Sequence, residues 1–325
     1  MTKPPLIIWC NNHFSATTQK ELAMFHGGGH RLLLFDPKNN GADEESRQAL
    51  SEADIAFGSP DPDALMGAAR LRWVHLNSAG YTPYDRDDFR RHVQQRGIIL
   101  TNSSAVYDEP CAQHLLAMMM SLARQLPAAL DVQRASRAWP MVSIRANSRL
   151  LNEQTALILG FGSIARRLVE LLTPLRMNLI AVRRELRGDE PIRVVTQSEA
   201  DEFLPFADHL VNILPDNEST KQFVNAERLK HTKRGAHFYN VGRGSTVDQD
   251  ALLESLRSGH LAAAYLDVTD PEPLPLDHPL WRTPNCYITP HTAGGHANEK
   301  ERQVRHFLDN FRRFTSGESL INRIM

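Results

Sequence analysis

The chain has 325 residues, the length of two domains at roughly 150 residues each. Hydrophobic residues make up 42%, charged residues 23%, with 18 glycines and 19 prolines; this is an ordinary globular composition and excludes collagen-like or extensively disordered architectures. Thirty-seven basic side chains against 38 acidic ones leave a formal net charge of −1, so no overall basic excess drives binding to nucleic acid or an anionic membrane.

The first ten residues, MTKPPLIIWC, carry an apolar stretch only over 6–10, too short for a signal-peptide core. The longest apolar run elsewhere, LLAMMMSLA at 115–123, falls well short of the roughly 20 residues of a membrane span. Cys10, Cys111 and Cys286 show neither metal spacing nor a disulfide framework, and the 14 histidines form no ligand cluster. No metal is therefore expected, and the expected compartment is a reducing cytoplasm.

Apolar runs predict strands at 6–9, 32–35, 55–58, 73–77 and 98–102, with helical patterns between most of them. HGGGH at 26–30 hints at a hydrolase loop, but no G-x-S-x-G elbow accompanies it and a turn is the better reading. A helix is predicted over 110–124, with Leu115, Met118, Met119 and Leu122 on one face. Further strands are predicted at 156–160, 178–182, 194–195, 209–214, 237–241, 263–268 and 286–289. Val304, Phe307, Phe311 and Phe314 then recur at helical spacing and read as core. The alternation of strand and helix predicts an α/β fold with parallel sheets.

TALILGFGSIARRLVELL, 155–172, joins an apolar strand to a helix opening near Ser163. Gly160, Gly162 and Ala165 occupy the three small-residue positions of a dinucleotide fingerprint, for the tight turn, the approach of a pyrophosphate and helix–strand packing. The helix face is expected to carry Ile164, Leu168, Leu171, Leu172 and Leu175, and its N-terminus suits phosphate. A purely structural glycine turn is the alternative. The next strand runs into Arg183 and Arg184, with no carboxylate until Glu185. Arg suits a ribose 2′-phosphate, so NADP(H) is favoured over NAD(H); a solvated basic turn is the bland reading.

Three later blocks follow in order: NVGRGSTVDQDAL (240–252), LDVTDPEPLP (266–275) and TPHTAGG (289–295). With GFGSIA, they resemble the D-isomer-specific 2-hydroxyacid dehydrogenase family, closest in look to glyoxylate/hydroxypyruvate reductases and phosphoglycerate-dehydrogenase-like proteins. The resemblance implies two Rossmann-like or flavodoxin-like domains flanking an active-site cleft. Residues 1–104 plus 297–325 would form the substrate domain and 105–296 the NAD(P)-binding domain. It implies His291 as acid/base, Glu272 as its partner and Arg243 as the holder of the substrate carboxylate. Cofactor contacts would come from Gly160, Phe161, Gly162, Ser163, Ile164, Arg183, Arg184, Leu214, Pro215, Val241, Gly242, Arg243, Asp267, His291 and Gly294, with Asp267 at the nicotinamide end. Ser78, Ala79 and Gly80 would cradle substrate through backbone amides, together with Arg243 and His291; a plain turn is the alternative for 77–80.

The chemistry explains the residue types. An arginine fork can take the carboxylate of a 2-keto acid. A histidine, with an unperturbed pKa of about 6.5, can protonate the oxygen as the neighbouring carbon is reduced. A carboxylate beside it stabilises the imidazolium. The expected reaction is NADPH-dependent reduction of a small 2-keto acid to the D-2-hydroxy acid. The segment around Trp139 resembles the family's dimerisation arm, implying a homodimer through the cofactor domain; core packing is the alternative for Trp139. Gln113, Asp270 and Asn152 depart from residues usual in the family. Formate dehydrogenase is disfavoured by Glu272, where that enzyme carries Gln. A cofactor-sensing regulatory protein, as in the C-terminal-binding-protein co-repressors, shares fold and motifs and remains the second reading, although no nuclear-localisation cluster or disordered tail is visible.

Overall fold

A computed structural model of the chain describes residues 4–12, 14, 16–22, 29–38, 40–41, 43–188 and 190–325, with the backbone alone at 16, 17 and 19. The chain divides into two compact α/β units, Met1–Tyr107 with His296–Met325, and Asp108–Gly295.

Among its described residues the first unit holds five strands: β1 (Ile7–Cys10), β2 (Arg31–Leu34), β3 (Ile55–Gly58), β4 (Trp73–Leu76) and β5 (Ile99–Thr101). They run parallel in the order β2-β1-β3-β4-β5. Every residue of β3 and β4 is buried, because helices cover both faces of a parallel sheet. Among the described residues, four helices connect these strands: α1 (Ala16–Leu22), α2 (Glu44–Glu52), α3 (Pro62–Gly67) and α4 (Asp87–Arg96). Of the HGGGH segment, residues 26–28 lie outside the described residues. His30 serves the packing of this unit, because its Nδ1 accepts from the Leu6 amide at 3.1 Å and its ring meets Phe311 edge-on.

α5 (Ser104–Ala123) contains the boundary between the units. It starts six residues before the predicted helix and runs through Pro110, so the proline does not open it. The Asn102 side chain, accepting from the Ser104 amide and hydroxyl, does. Two short helices not predicted from sequence follow, α6 (Leu126–Ala135) and α7 (Met141–Asn147). Trp139 between them is 89% exposed, which overturns core packing as its explanation. No single helix among the described residues is long and apolar enough to cross a membrane.

Among its described residues the second unit carries seven strands: β6 (Thr155–Leu159), β7 (Asn178–Arg183), β8 (Arg193–Thr196), β9 (His209–Asn212), β10 (Ala236–Asn240), β11 (Leu261–Leu266) and β12 (Cys286–Ile288). All are parallel, in the order β12-β11-β10-β9-β6-β7-β8. The chain builds outward from β6 to β8, then returns to β9 and builds the other way. β6 and β9 therefore flank the point where ligands of such sheets bind, outside the strand carboxyl ends. α8 (Ser163–Leu172) follows β6 and buries Ala165, Leu168, Val169 and Leu172; Ile164 and Leu171 stay partly exposed, so the core face is rotated from the one expected. α9 (Ala226–His231) and α10 (Gln249–Arg257) complete the cover.

The last helix, α11 (Glu299–Ser316), returns to the first unit. Val304 and Phe307 are fully buried there, and the Phe307 ring stacks on Phe57 at 4.2 Å and on Trp73 at 5.2 Å. His75 is buried against this stack, its Nδ1 bonded to Thr101 Oγ1 at 2.7 Å. In the second unit His209 lies buried between Gln154 and Tyr239. Burial pushes the pKa of His75 well down, and His306 adds to this; burial, then His237, takes His209 down to about 3. Burial also lowers His237. Each is neutral when folded but takes a proton in the unfolded chain below about pH 6.5. Their stabilisation is complete above that pH and is lost as pH falls towards the folded values. Denaturant midpoints should hold steady from pH 8 to 7 and fall below 6.5, each histidine removing up to about 1.4 kcal/mol per pH unit. Midpoints that stay constant down to pH 5 would contradict this.

Candidate active site

The residues named from the motifs in the second unit lie at or just beyond the carboxyl ends of its strands. Gly160, Phe161, Gly162, Ser163 and Ile164 follow β6. Arg183 and Arg184 lie at the end of β7. Leu214 and Pro215 follow β9, Val241, Gly242 and Arg243 follow β10, Asp267 and Glu272 follow β11, and His291 and Gly294 follow β12.

His291 Nδ1 contacts Glu272 Oε1. A carboxylate only accepts, so Nδ1 carries the proton and Nε2 is left to exchange one. His291 is a non-glycine residue at φ +50, held there by its surroundings. Its amide donates to the Asp267 carbonyl at 2.9 Å. The Asp267 carboxylate, only 3% exposed, accepts from Thr289 Oγ1 (2.5 Å), the Thr292 amide (2.8 Å) and the Ala293 amide (3.0 Å). Its side chain thus clamps the His291 loop. Arg243 is half-buried; its Nη1 donates to the Gly242 carbonyl at 2.6 Å, and no carboxylate among the described residues pairs with it. Its charge reaches Cys111, whose thiol is pushed up to about 12 by burial, with Asp267 raising and Arg243 lowering it.

The turn after β6 tests whether a dinucleotide fits. Gly160 has φ +96, and a Cβ there would meet the Ile213 carbonyl at 3.1 Å, so the fold itself requires glycine. Gly162 has an ordinary φ of −87, and a Cβ there would meet nothing within 4 Å, so the protein's own packing does not require it. The α8 N-terminus has no side-chain cap and no acid in its first turn, leaving amide donors for a phosphate. Open backbone beside uncapped donors is what a pyrophosphate needs. The Phe161 ring is buried beneath the Arg166 guanidinium.

The two arginines differ. Arg183 is engaged at 2.9 Å by Glu190, a residue that no motif in the sequence singles out. The Glu190 carboxyl lies below its ordinary range, first through the Arg187 amide, then through Arg183 and the Gly188 amide. Arg184 is exposed, and its Nη2 reaches Ser219 Oγ at 3.3 Å. The path of the loop between them hides the Arg183–Glu190 pair from spacing arguments.

In the first unit, Ser78–Gly80 follow β4. Tyr107 and Gln303 donate to the Asn77 carbonyl, the Ser103 amide to Ser78, Asn102 Nδ2 to Ala79, and Ser78 Oγ to Gly80. Four successive carbonyls are thus occupied. Among the described residues, the amides of Ser78, Ala79 and Gly80 find no acceptor. Such a run of free N–H groups suits an anion. Asn102, Tyr107 and Gln303 were not identified from sequence, because Gln303 lies 196 residues from Tyr107. No group of three or more His, Cys, Asp or Glu among the described residues is arranged to hold a metal ion.

Residues 116–293 match the family described as D-isomer specific 2-hydroxyacid dehydrogenase, NAD binding domain. A protein encoded in the proB 3′ region of Corynebacterium melassecola is 31% identical over 308 residues, 93% of each chain. A glyoxylate reductase of Aeropyrum pernix is 30% identical over 274 residues, 81% of this chain and 80% of its own. A D-isomer specific 2-hydroxyacid dehydrogenase of Xanthobacter autotrophicus Py2, solved in complex with NADPH and MES, superposes with a TM-score of 0.81 at 26% identity, over 99% of this chain and 98% of that one.

Replacing the two turn glycines should separate fold from ligand. Gly160→Ala should lower stability by about 1–3 kcal/mol in a denaturant melt. Gly162→Ala should stay within about 0.5 kcal/mol of the parent while weakening dinucleotide binding in a fluorescence titration. A Gly162→Ala protein that binds as well as the parent would remove the turn from the cofactor site.

Proposed function

The chain belongs to the D-isomer specific 2-hydroxyacid dehydrogenase family, and on that premise we propose that it reduces a small 2-keto acid of the glyoxylate or hydroxypyruvate type to the D-2-hydroxy acid, using NADPH. Oxidoreductase chemistry in the broad sense follows from the membership. The observation that carries the finer reading is the His291–Glu272 contact, which leaves Nε2 as the atom able to give or take a proton.

Arg243, free of any carboxylate partner among the described residues, would take the substrate carboxylate through two parallel N–H bonds and polarise the adjacent carbonyl. His291 Nε2 would protonate the oxygen as negative charge develops on it, and Glu272 would stabilise the imidazolium and fix its orientation. When bound, the nicotinamide supplies the hydride that the carbonyl carbon receives. The uncapped start of α8 and the open backbone at Gly162 support a pyrophosphate there. The free amides of Ser78, Ala79 and Gly80 form a donor set of the kind a carboxylate takes up.

Preference for NADP(H) over NAD(H) rests chiefly on Arg184, since Arg183 is already engaged by Glu190. The NADPH complex of the Xanthobacter relative lends it support. A homodimer through the second unit is supported by exposed apolar side chains on and around α6 and α7, including Leu126, Leu130, Trp139 and Val142. The scattered free cysteines suit a reducing compartment.

The test is NADPH consumption with glyoxylate, hydroxypyruvate, pyruvate and phenylpyruvate, repeated with NADH. Turnover of glyoxylate or hydroxypyruvate is expected. His291→Gln should lower kcat by about a hundredfold or more while NADPH still binds, and Arg184→Ala should weaken NADPH about tenfold more than NADH. Tight NADPH binding without turnover of any acid would favour the regulatory reading.

A further inference from the structure

Behind the His291 loop lies a chain of side chains that the proposed mechanism does not use. Tyr265 is the penultimate residue of β11 and is 1% exposed. Its hydroxyl contacts His114 Nε2 on α5, 151 residues away in sequence, and lies 2.5 Å from Thr289 Oγ1. Thr289 Oγ1 lies in turn 2.5 Å from Asp267 Oδ1, the clamp of the His291 loop.

The acceptor-only carboxylate sets the proton directions along this chain, and His114 Nε2 also lies 3.5 Å from Thr289 Oγ1. The Asp267 carboxylate can only accept, so Thr289 spends its one proton there. The Tyr265 proton must then lie towards Thr289, and His114 must donate through Nε2. Burial lowers the His114 pKa, with Asp267 opposing, which favours the neutral ring. Burial raises the Tyr265 pKa, so its hydroxyl keeps its proton. The chain therefore runs one way, from His114 through Tyr265 and Thr289 to Asp267.

We propose that Tyr265 and His114 are positioning residues for His291: their hydrogen bonds hold the Thr289 hydroxyl on Asp267, and Asp267 holds the His291 loop. This rests on the reading of His291 as proton donor. Neither residue touches the reacting atoms. They act by removing the other orientations open to Thr289.

Tyr265→Phe keeps the ring against His114, at 5.3 Å between centroids, and deletes only the oxygen. The expected result is a fall in kcat of about tenfold, with the KM for the keto acid and the Kd for NADPH unchanged. His114→Ala, on α5, should lose as much. His114→Gln, whose amide N–H can replace Nε2–H, should retain most of the rate. The double variant Tyr265→Phe/His114→Ala should be no slower than either single one, since both break one chain. Full additivity, or an unchanged kcat in Tyr265→Phe, overturns the proposal. A second readout does not need turnover: amide hydrogen exchange at Thr292 and Ala293, which donate to Asp267, should quicken in both Tyr265→Phe and His114→Ala. Unchanged exchange there overturns the chain whether or not the parent protein is active. A parent inactive on every acid, with exchange quickened as expected, would overturn the assigned role of His291 and leave the chain as a clamp on its loop.

Discussion

The site depends on one buried carboxylate. Asp267 accepts three hydrogen bonds from the segment after β12, and its own carbonyl takes the His291 amide. The left-handed backbone at His291 costs roughly 1–2 kcal/mol. Hydrogen bonds to a charged group contribute about 1.5–3 kcal/mol each, so the clamp outweighs the strain and the imidazole is held where Glu272 meets its Nδ1. Without the clamp, a histidine on an exposed loop would sample orientations in which neither nitrogen is presented consistently.

The clamp works because the sheet brings distant segments together. All seven strands of the second unit run parallel, so every connection from a carboxyl end opens on one edge. The reversal of strand order sets β6 beside β9, which brings the Ile213 carbonyl against Gly160 and forces glycine in the turn. β11 and β12 are neighbours, which sets Asp267 beside the loop it holds. The first unit uses the same device on a smaller scale. The carboxyl end of β4 carries residues 77–80; Tyr107 of α5 and Gln303 of α11 occupy the Asn77 carbonyl, and Ser103, Asn102 and Ser78 itself occupy the next three, while the Ser78, Ala79 and Gly80 amides find no acceptor among the described residues.

Much of this was legible in the sequence for identifiable reasons. A strand buried on both faces reads as a continuous apolar run, so β3, β4, β6 and β10 fell where the runs lie. The fingerprint and the three later blocks pointed to loops rather than to core. Other features were not legible. The start of α5 depends on Asn102 acting as a local cap, a signal outweighed in the sequence by Pro110. The short helices α6 and α7 bury no residue fully, so they carry no clear apolar period. The Arg183–Glu190 pair depends on the path of a loop, and the His114–Tyr265 contact on the packing of α5 against β11; neither separation follows a helical or strand period.

The central claim is that the protein presents His291 with its proton fixed on Nδ1 and Nε2 open to exchange. Nitrogen-15 NMR of the His291 ring, recorded on the alkaline side of its titration so that the ring is neutral, tests this most directly. The account predicts a protonated Nδ1 and a bare Nε2 in the parent protein, with that preference lost in Glu272→Ala. A neutral ring carrying its proton on Nε2 in the parent would contradict it, because the nitrogen assigned to proton transfer would then lack the lone pair that the reverse reaction requires.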